Sequence, residues 1–321
     1  MAIKKWAANI VGTVLCVGLA TSSLNAHAEE QLSIGYQSSS TLLTLLHENG
    51  ELDRTLKQQG VNVSWHQFTS GLPLLEALNT GAVDISADVA DVVPIFALAA
   101  GAELTVYASE TPSPLAQGLI VNADSPFHSV SDLKGKRIAV TKGAGNHYFL
   151  LSALQRAGLQ PTDVNIDYLA PADARAAFEQ GNVDAWIPWE PYLTLTEQAL
   201  HVRTLANGEN GLADYQRLYL ARTPFAKAHP EILRTVYDAL EREGKWVKSH
   251  PQEAAKTLAP LWGNLNTSAV EKANGHRSYV VAPANENTLN YLQHMSDLFL
   301  HAGMLPHAID TREIGLWPSH Q

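Results

Sequence analysis

The stretch "EALNTGAVDIS" (76–86) returns one hundred residues later as "AAFEQGNVDAW" (176–186). Each copy reads as a helix end, a glycine suited to the left-handed C-cap, a Val-Asp pair and the start of a strand. A supersecondary unit used twice at that separation predicts two similar α/β lobes rather than one large sheet.

The pattern extends outward from both copies. "LSIGYQ" (32–37) precedes the helical "LLTLLHENGELDRTLKQQG" (42–60), and "VNVSWHQF" (61–68) follows with Val61, Val63 and Trp65 alternating. Strand-helix alternation of this kind predicts an α/β fold in which each lobe is a mostly parallel sheet flanked by helices. The Pro-bearing strips "ETPSPLAQG" (110–118) and "LYLARTPFAKAHP" (218–230) suit hinge crossings between lobes. Lobe 1 is thus expected over 29–115 and 222–321, and lobe 2 over 116–221. Beyond the second crossing, "EILRTVYDALEREGKWVKSHP" places Ile232, Leu233, Val236 and Leu240 on one helix face.

The N-terminus predicts export. Lys4 and Lys5 precede an apolar run from Ile10 to Leu19, and Ala26-His27-Ala28 offers the small residues a signal peptidase requires, so residues 1–28 read as a cleaved signal peptide. The run is shorter than the roughly 20 residues needed to span a bilayer. Cys16 is the single cysteine and lies in that leader, which leaves no disulfide, thiolate metal site or thiol nucleophile in a mature chain from Glu29. Loss of Lys4 and Lys5 leaves 20 basic against 32 acidic residues, a net charge of −12. That balance, with no basic run, argues against nucleic acid or an anionic membrane as partner. Any anion site must therefore work through local donors.

One such site is written in "RIAVTKGAGNHYFLLSALQRAG" (137–158), where a glycine-broken turn hands a strand to a helix N-terminus. Free N–H groups and the positive end of the helix dipole suit an anion there. Nucleotide machinery is missing, because Asn146-His147-Tyr148 stands where a P-loop needs Lys-Ser/Thr and Tyr148 occupies the third glycine of a dinucleotide fingerprint. Loops "YQSSST" (36–41), "TSGLP" (69–73) and "ADVADVVP" (87–94) fall at equivalent strand ends, so Ser38, Ser39, Ser40, Ser70 and Asn146 are candidate neutral donors to an oxyanion, or simple helix caps. In "DAWIPWEPY" (184–192), Trp186 and Trp189 could wall an apolar ligand tail, while Glu190 could meet a ligand cation or cap the next helix.

The stretches "IGYQ", "LLEALNTGAVDI", "PIFALAAGAEL", "SDLKGKRIAVTKG", "ADARAAFEQGNVDAW" and "WEPY", in order along nearly the whole mature chain, resemble the aliphatic sulfonate-binding proteins of bacterial ABC importers, relatives of taurine- and nitrate-binding proteins. The resemblance implies a type II periplasmic binding protein fold with two hinge crossovers, and a monomer that serves an ABC permease and its ATPase. It implies a sulfonate held near the loop after Gln37, around Asp88 to Asp91 and at Gly145 to His147, which with the donors and walls read above makes Gln37, Ser38, Ser39, Ser70, Asp88, Asp91, Gly145, Asn146, His147, Trp189 and Glu190 the expected contacts. Two departures stand out: "KGAGNH" where serines commonly precede the histidine, and the longer, more acidic "ADVADVVP". An acid in the "WEPY" turn meets the ligand amine in taurine binders, so Glu190 keeps an amino-sulfonate open, and a thiamine-like heterocycle remains a further alternative. An exported hydrolase lacks its motifs, with no G-x-S-x-G and no H-E-x-x-H. No cofactor is expected. His294 and His301 could share a helix face but lack a tightly spaced partner for a metal.

Overall fold

The computed structural model describes residues 30–37, 39–263 and 265–317. The expected signal peptide and the candidate Ser38 lie outside the described residues.

Two sheets form the two lobes. The larger runs Val281–Ala282, Leu104–Glu110, Arg217–Arg222, Ile85–Ser86, Glu30–Gln37 and Val61–Phe68, with Gly315–Leu316 and Val89–Ala90 added at its sides. The smaller runs Val202–Asn207, Gly118–Asn122, Ala185–Trp186, Arg137–Val140 and Asn165–Tyr168. Leu32, Ile34, Leu42 and Leu46 are fully buried in the first lobe, as are Ile138, Phe149 and Leu154 in the second. Each such side chain contributes about 1.5–3 kcal/mol by leaving water.

The echoed units do the same work in each lobe. At the helix ends Gly81 and Gly181 take φ of +78° and +72°. Ala82 N–H then reaches back to the Ala77 carbonyl, and Asn182 N–H to that of Ala177, closing a Schellman turn. Asp84 N–H donates to the Ser33 carbonyl while its carboxylate accepts from Ser33 N–H. Asp184 makes the same two-way pair with Arg137. A carboxylate thus continues the ladder where each short strand begins, and Val83 and Val183 drop into the cores beside it.

Two features depart from the sequence expectation. The sheets are mixed, because Gly118–Asn122 and Arg217–Arg222 run antiparallel to the strands beside them. Both strands enter their lobe from the junction, the end where neighbouring strands leave it, so they must point the other way. Arg217–Arg222 also pairs with Leu104–Glu110 in the larger sheet. Residues 217–221 therefore belong with lobe 1, and the second crossing precedes Arg217 instead of spanning 218–230.

The chain that returns to lobe 1 clasps lobe 2 on two flanks. Helix Glu286–His301 lays Phe299 against His147, ring centroids 5.1 Å apart, and Tyr291 against Tyr148 at 6.3 Å. Helix Thr267–Gly275 meets helix Tyr192–Ala199 through Lys272 and Glu197, 2.7 Å apart. The expected site loops lie between these flanks.

Candidate functional site

Six segments are pinned to one another where the lobes meet. Gln37 N–H donates to Ser40 Oγ at 3.1 Å, and the Gln37 amide reaches the Asp88 carbonyl at 2.7 Å. Tyr279 OH bridges Thr41 Oγ1 and Asn274 Oδ1, which holds turn 274–279 against loop 37–41. Ser278 N–H donates to Ser113 Oγ at 2.9 Å, tying the same turn to the first crossing. Gln117 pairs with Trp189 through the backbone, and Glu190 N–H donates to the Ala116 carbonyl, joining the crossing to lobe 2. Asn146 then donates its amide N–H to the Ile187 carbonyl, fixing the start of helix Gly145–Arg156 to the same loop.

These segments carry buried polar atoms that no protein group satisfies: Gln117 Nε2 and Oε1, Asn146 Oδ1, Asn274 Nδ2 and Arg277 Nε. An unsatisfied buried donor costs about 1–3 kcal/mol, so several on facing segments signal a place built for a polar guest. Gln117, Asn274 and Arg277 carried no local signal in the sequence, since each depends on a fold contact with a distant segment.

Lobe 2 contributes Gly145, Asn146 and His147. A Cβ on Gly145 would stand 2.6 and 2.8 Å from the Tyr215 ring and 3.1 Å from Ala90, so only glycine lets the helix approach lobe 1 this closely. His147 is fully buried and accepts from Gly143 N–H through Nδ1 at 3.2 Å. Burial, with the charge of Lys142, pushes its pKa down to about 4. Its imidazole is therefore neutral near pH 7, with the proton on Nε2 facing the Tyr168 hydroxyl at 3.4 Å.

The acids have protein partners, although Asp88 Oδ1 is buried without one. Arg217 Nε and Nη2 both meet Asp88 Oδ2, at 2.9 and 2.7 Å, and Arg277 Nη2 reaches it at 3.2 Å. Arg277 Nη2 also meets both Glu110 oxygens, at 3.0 and 2.9 Å, and Tyr219 OH donates to one of them. Burial opposes charge on Asp88, but the two guanidiniums outweigh it and hold its carboxyl below the usual range. Two guanidiniums facing two carboxylates leave no net charge. Glu190 caps helix Tyr192–Ala199 by accepting from Thr194 N–H and Oγ1, and meets His276 Nδ1 across the junction at 2.6 Å.

Asp91 accepts from Val92 N–H and from Gln216 N–H in the second crossing, at 3.0 and 2.8 Å. Burial outweighs those donors and pushes its pKa up to about 7. The native state thus holds this proton more tightly than the unfolded chain, so the stability Asp91 contributes is complete below about pH 4 and is lost as pH rises through 7. His147 runs the opposite way, losing its contribution as pH falls through about 4. Melting curves at pH 4 and pH 7 should show Asp91→Asn losing less stability over that rise than the native chain. A constant gap between the two proteins would contradict this.

The remaining expected residues divide. Ser39 is buried beside Ser40, and Ser70 is half-buried at the N-cap of helix Gly71–Asn79 with no cap bond from its hydroxyl. Trp189 lies at the junction, its ring edge-on to Tyr192 at 5.8 Å. Trp186 instead packs on Phe178 within lobe 2, so it belongs to the core and cannot wall a ligand. Among the described residues no group of three or more His, Cys, Asp and Glu could hold a metal ion.

Two lobes, two crossings and a junction lined with unsatisfied polar atoms define a ligand-binding protein of the periplasmic-binding-protein fold. The chain belongs to the family described as NMT1/THI5 like, whose model matches residues 56–254. It is 35% identical to the periplasmic aliphatic sulphonate binding protein of Escherichia coli, with a TM-score of 0.82 over 90% of this chain and 97% of that one. The alkanesulfonate-binding protein of Xanthomonas axonopodis pv. citri, solved with MOPS bound, is 34% identical at a TM-score of 0.82, over 88% and 96%. The taurine-binding periplasmic protein of Escherichia coli (strain K12) is 29% identical over 226 residues, 67% of this chain and 69% of that one.

Proposed function

We propose that this chain is a periplasmic solute-binding protein that captures an aliphatic sulfonate between its lobes and delivers it to an ABC permease and its ATPase. The observation that carries the reading is the set of buried, unpartnered donors at the junction: Gln117 Nε2, Asn274 Nδ2 and Arg277 Nε. A sulfonate is anionic at any physiological pH and offers three oxygens, so it needs N–H donors and no titratable base. The ion cluster behind Arg277 is neutral, which fits recognition by aimed donors instead of bulk charge. In this reading Gln37, Ser39, Ser70 and the start of helix Gly145–Arg156 complete the cleft, Trp189 walls it, and Asp88 and Asp91 brace it from behind.

Glu190 favours a ligand without an amine. Its carboxylate already accepts from Thr194 and pairs with His276, so a ligand ammonium would have to displace a partner. Relatives bearing sulfonate and taurine names span both options, and the engaged acid points to the alkanesulfonate. In this reading the chain acts as a monomer with no chemical step of its own.

Calorimetric titration of ligand-stripped protein, in a buffer that is not a sulfonate, tests this. Ethanesulfonate should bind at micromolar affinity or tighter, taurine about tenfold more weakly, the cost of one displaced buried hydrogen bond, and sulfate not at all. Binding of thiamine with silence for every sulfonate would overturn the reading.

A further inference from the structure

Five acids are buried among the described residues, and four of them, Asp88, Asp91, Glu110 and Glu190, are held by protein donors. Glu243 is the fifth, only 5% exposed, and no hydrogen bond from a described residue reaches its carboxyl. It lies on helix Pro230–Ser249 and lines an open cavity of about 510 Å³ in lobe 1. Helix Leu42–Asn49 adds Leu45 and Asn49 to the lining, helix Glu51–Gln58 adds Glu51, and helix Pro251–Leu261 adds Thr257, beside Arg242 and Trp246 from the same helix as Glu243. Arg242 Nη2 meets Glu51 at 3.0 Å, so the guanidinium in the lining is already paired. Two carboxylates against one guanidinium leave the cavity short of a positive charge.

We propose that this cavity is a second binding site, independent of the sulfonate reading, that takes a small organic ammonium with a short apolar tail. An ammonium brings the charge that Glu243 lacks and three donors to place. Thr257 Oγ1 donates to the Glu253 carbonyl and keeps its lone pairs, so it offers an acceptor besides the Glu243 carboxylate. Leu45 and the Trp246 ring suit the methylenes, and an aromatic face attracts a cation. A metal ion fits less well, because no third His, Cys, Asp or Glu completes a ligand set among the described residues. The charged groups in the lining that face Glu243 are Glu51 and Arg242, while Leu45, Asn49 and Thr257 do not titrate. Burial and the Glu51 charge outweigh Arg242 and push the Glu243 pKa up to about 7. The ammonium therefore has to displace a proton, and it binds more tightly as pH rises through 7.

The experiment follows the Trp246 indole N–H by nuclear magnetic resonance while the full chain is titrated with propylammonium chloride. Sodium chloride at equal ionic strength and neutral propanol are the references. Propylammonium titrates like a lysine, at about pH 10, so its own charge is constant between pH 6 and pH 8. Ionisation of Glu243 rises from about a tenth to about nine-tenths over that range, so affinity should rise about tenfold, to a Kd of about 1–5 mM at pH 8. Glu243→Gln keeps the shape of the side chain and should weaken binding about tenfold at pH 8 while erasing the pH dependence. An indole shift no larger with propylammonium than with the references would overturn the site, and so would equal affinity at pH 6 and pH 8. Both of those results come from the native chain, so they hold whether or not the variant folds. No sulfonate is present in the titration, so its failure would leave the sulfonate reading standing.

Discussion

Gly145→Val is expected to abolish ligand capture while leaving the two lobes folded. The added Cβ would meet the Tyr215 ring at under 3 Å, and Tyr215 sits in the second crossing, one residue before Gln216, which lobe 1 grips through Asp91. The helix start would have to retreat from lobe 1, which pulls Asn146 and the loop it holds at Ile187 away from Gln117 and Asn274. Affinity for ethanesulfonate should fall by about a hundredfold or more, equivalent to roughly 2.7 kcal/mol. Melting temperature without ligand should shift by only about 3 °C, because parting of the lobes relieves the clash with Tyr215 and Ala90, which pack across the junction. Solution scattering should report a larger radius of gyration for the variant in saturating ligand. Adding Tyr215→Ala should restore part of the affinity, since the ring is what the new side chain meets. Unchanged affinity in Gly145→Val would show that capture does not bring Gly145 to Tyr215.

The parts of this molecule that were legible in its sequence are those that depend on neighbours in the chain. The echoed Gly-Xaa-Val-Asp units could be read because a Schellman turn and the strand it feeds are local. The helix over Pro230–Ser249 showed its buried face through spacing alone, with Ile232, Leu233, Val236 and Leu240 in the core. Sheet direction was misjudged because alternation of strands and helices does not mark which strand carries the chain across a hinge. Trp186 and Trp189 looked equivalent in "AWIPWEPY", yet one ends a strand facing the lobe 2 core and the other starts the loop beyond it. Arg217 and Arg277 went unnoticed for a different reason. A buried guanidinium leaves no periodic signature, and its meaning lies in Asp88 and Glu110, more than a hundred residues away.

Asp88→Ala should cost more stability than any other single change at the junction, and should do so with no ligand present. Asp88 is fully buried and shares one oxygen among three guanidinium contacts, so its removal leaves Arg217 charged in an apolar interior with its main partner gone. Breaking a buried pair from one side typically costs about 3–5 kcal/mol, because desolvation of the remaining charge is no longer offset. At about 2–4 °C per kcal/mol for domains of this size, the melting temperature should fall by roughly 10 °C. Glu110 and Arg277 still neutralise each other, so the damage concentrates on Arg217. Removing both members of the pair, as Asp88→Leu with Arg217→Met, should therefore recover much of the loss, and the two single changes should sum to more than the double. A ligand contact would behave otherwise: Asp88→Ala would then leave the melting temperature of the empty protein unchanged and weaken only sulfonate binding. Melting the single and double variants without ligand decides whether this acid, placed by sequence among the candidate contacts, holds the guest or holds the wall behind it.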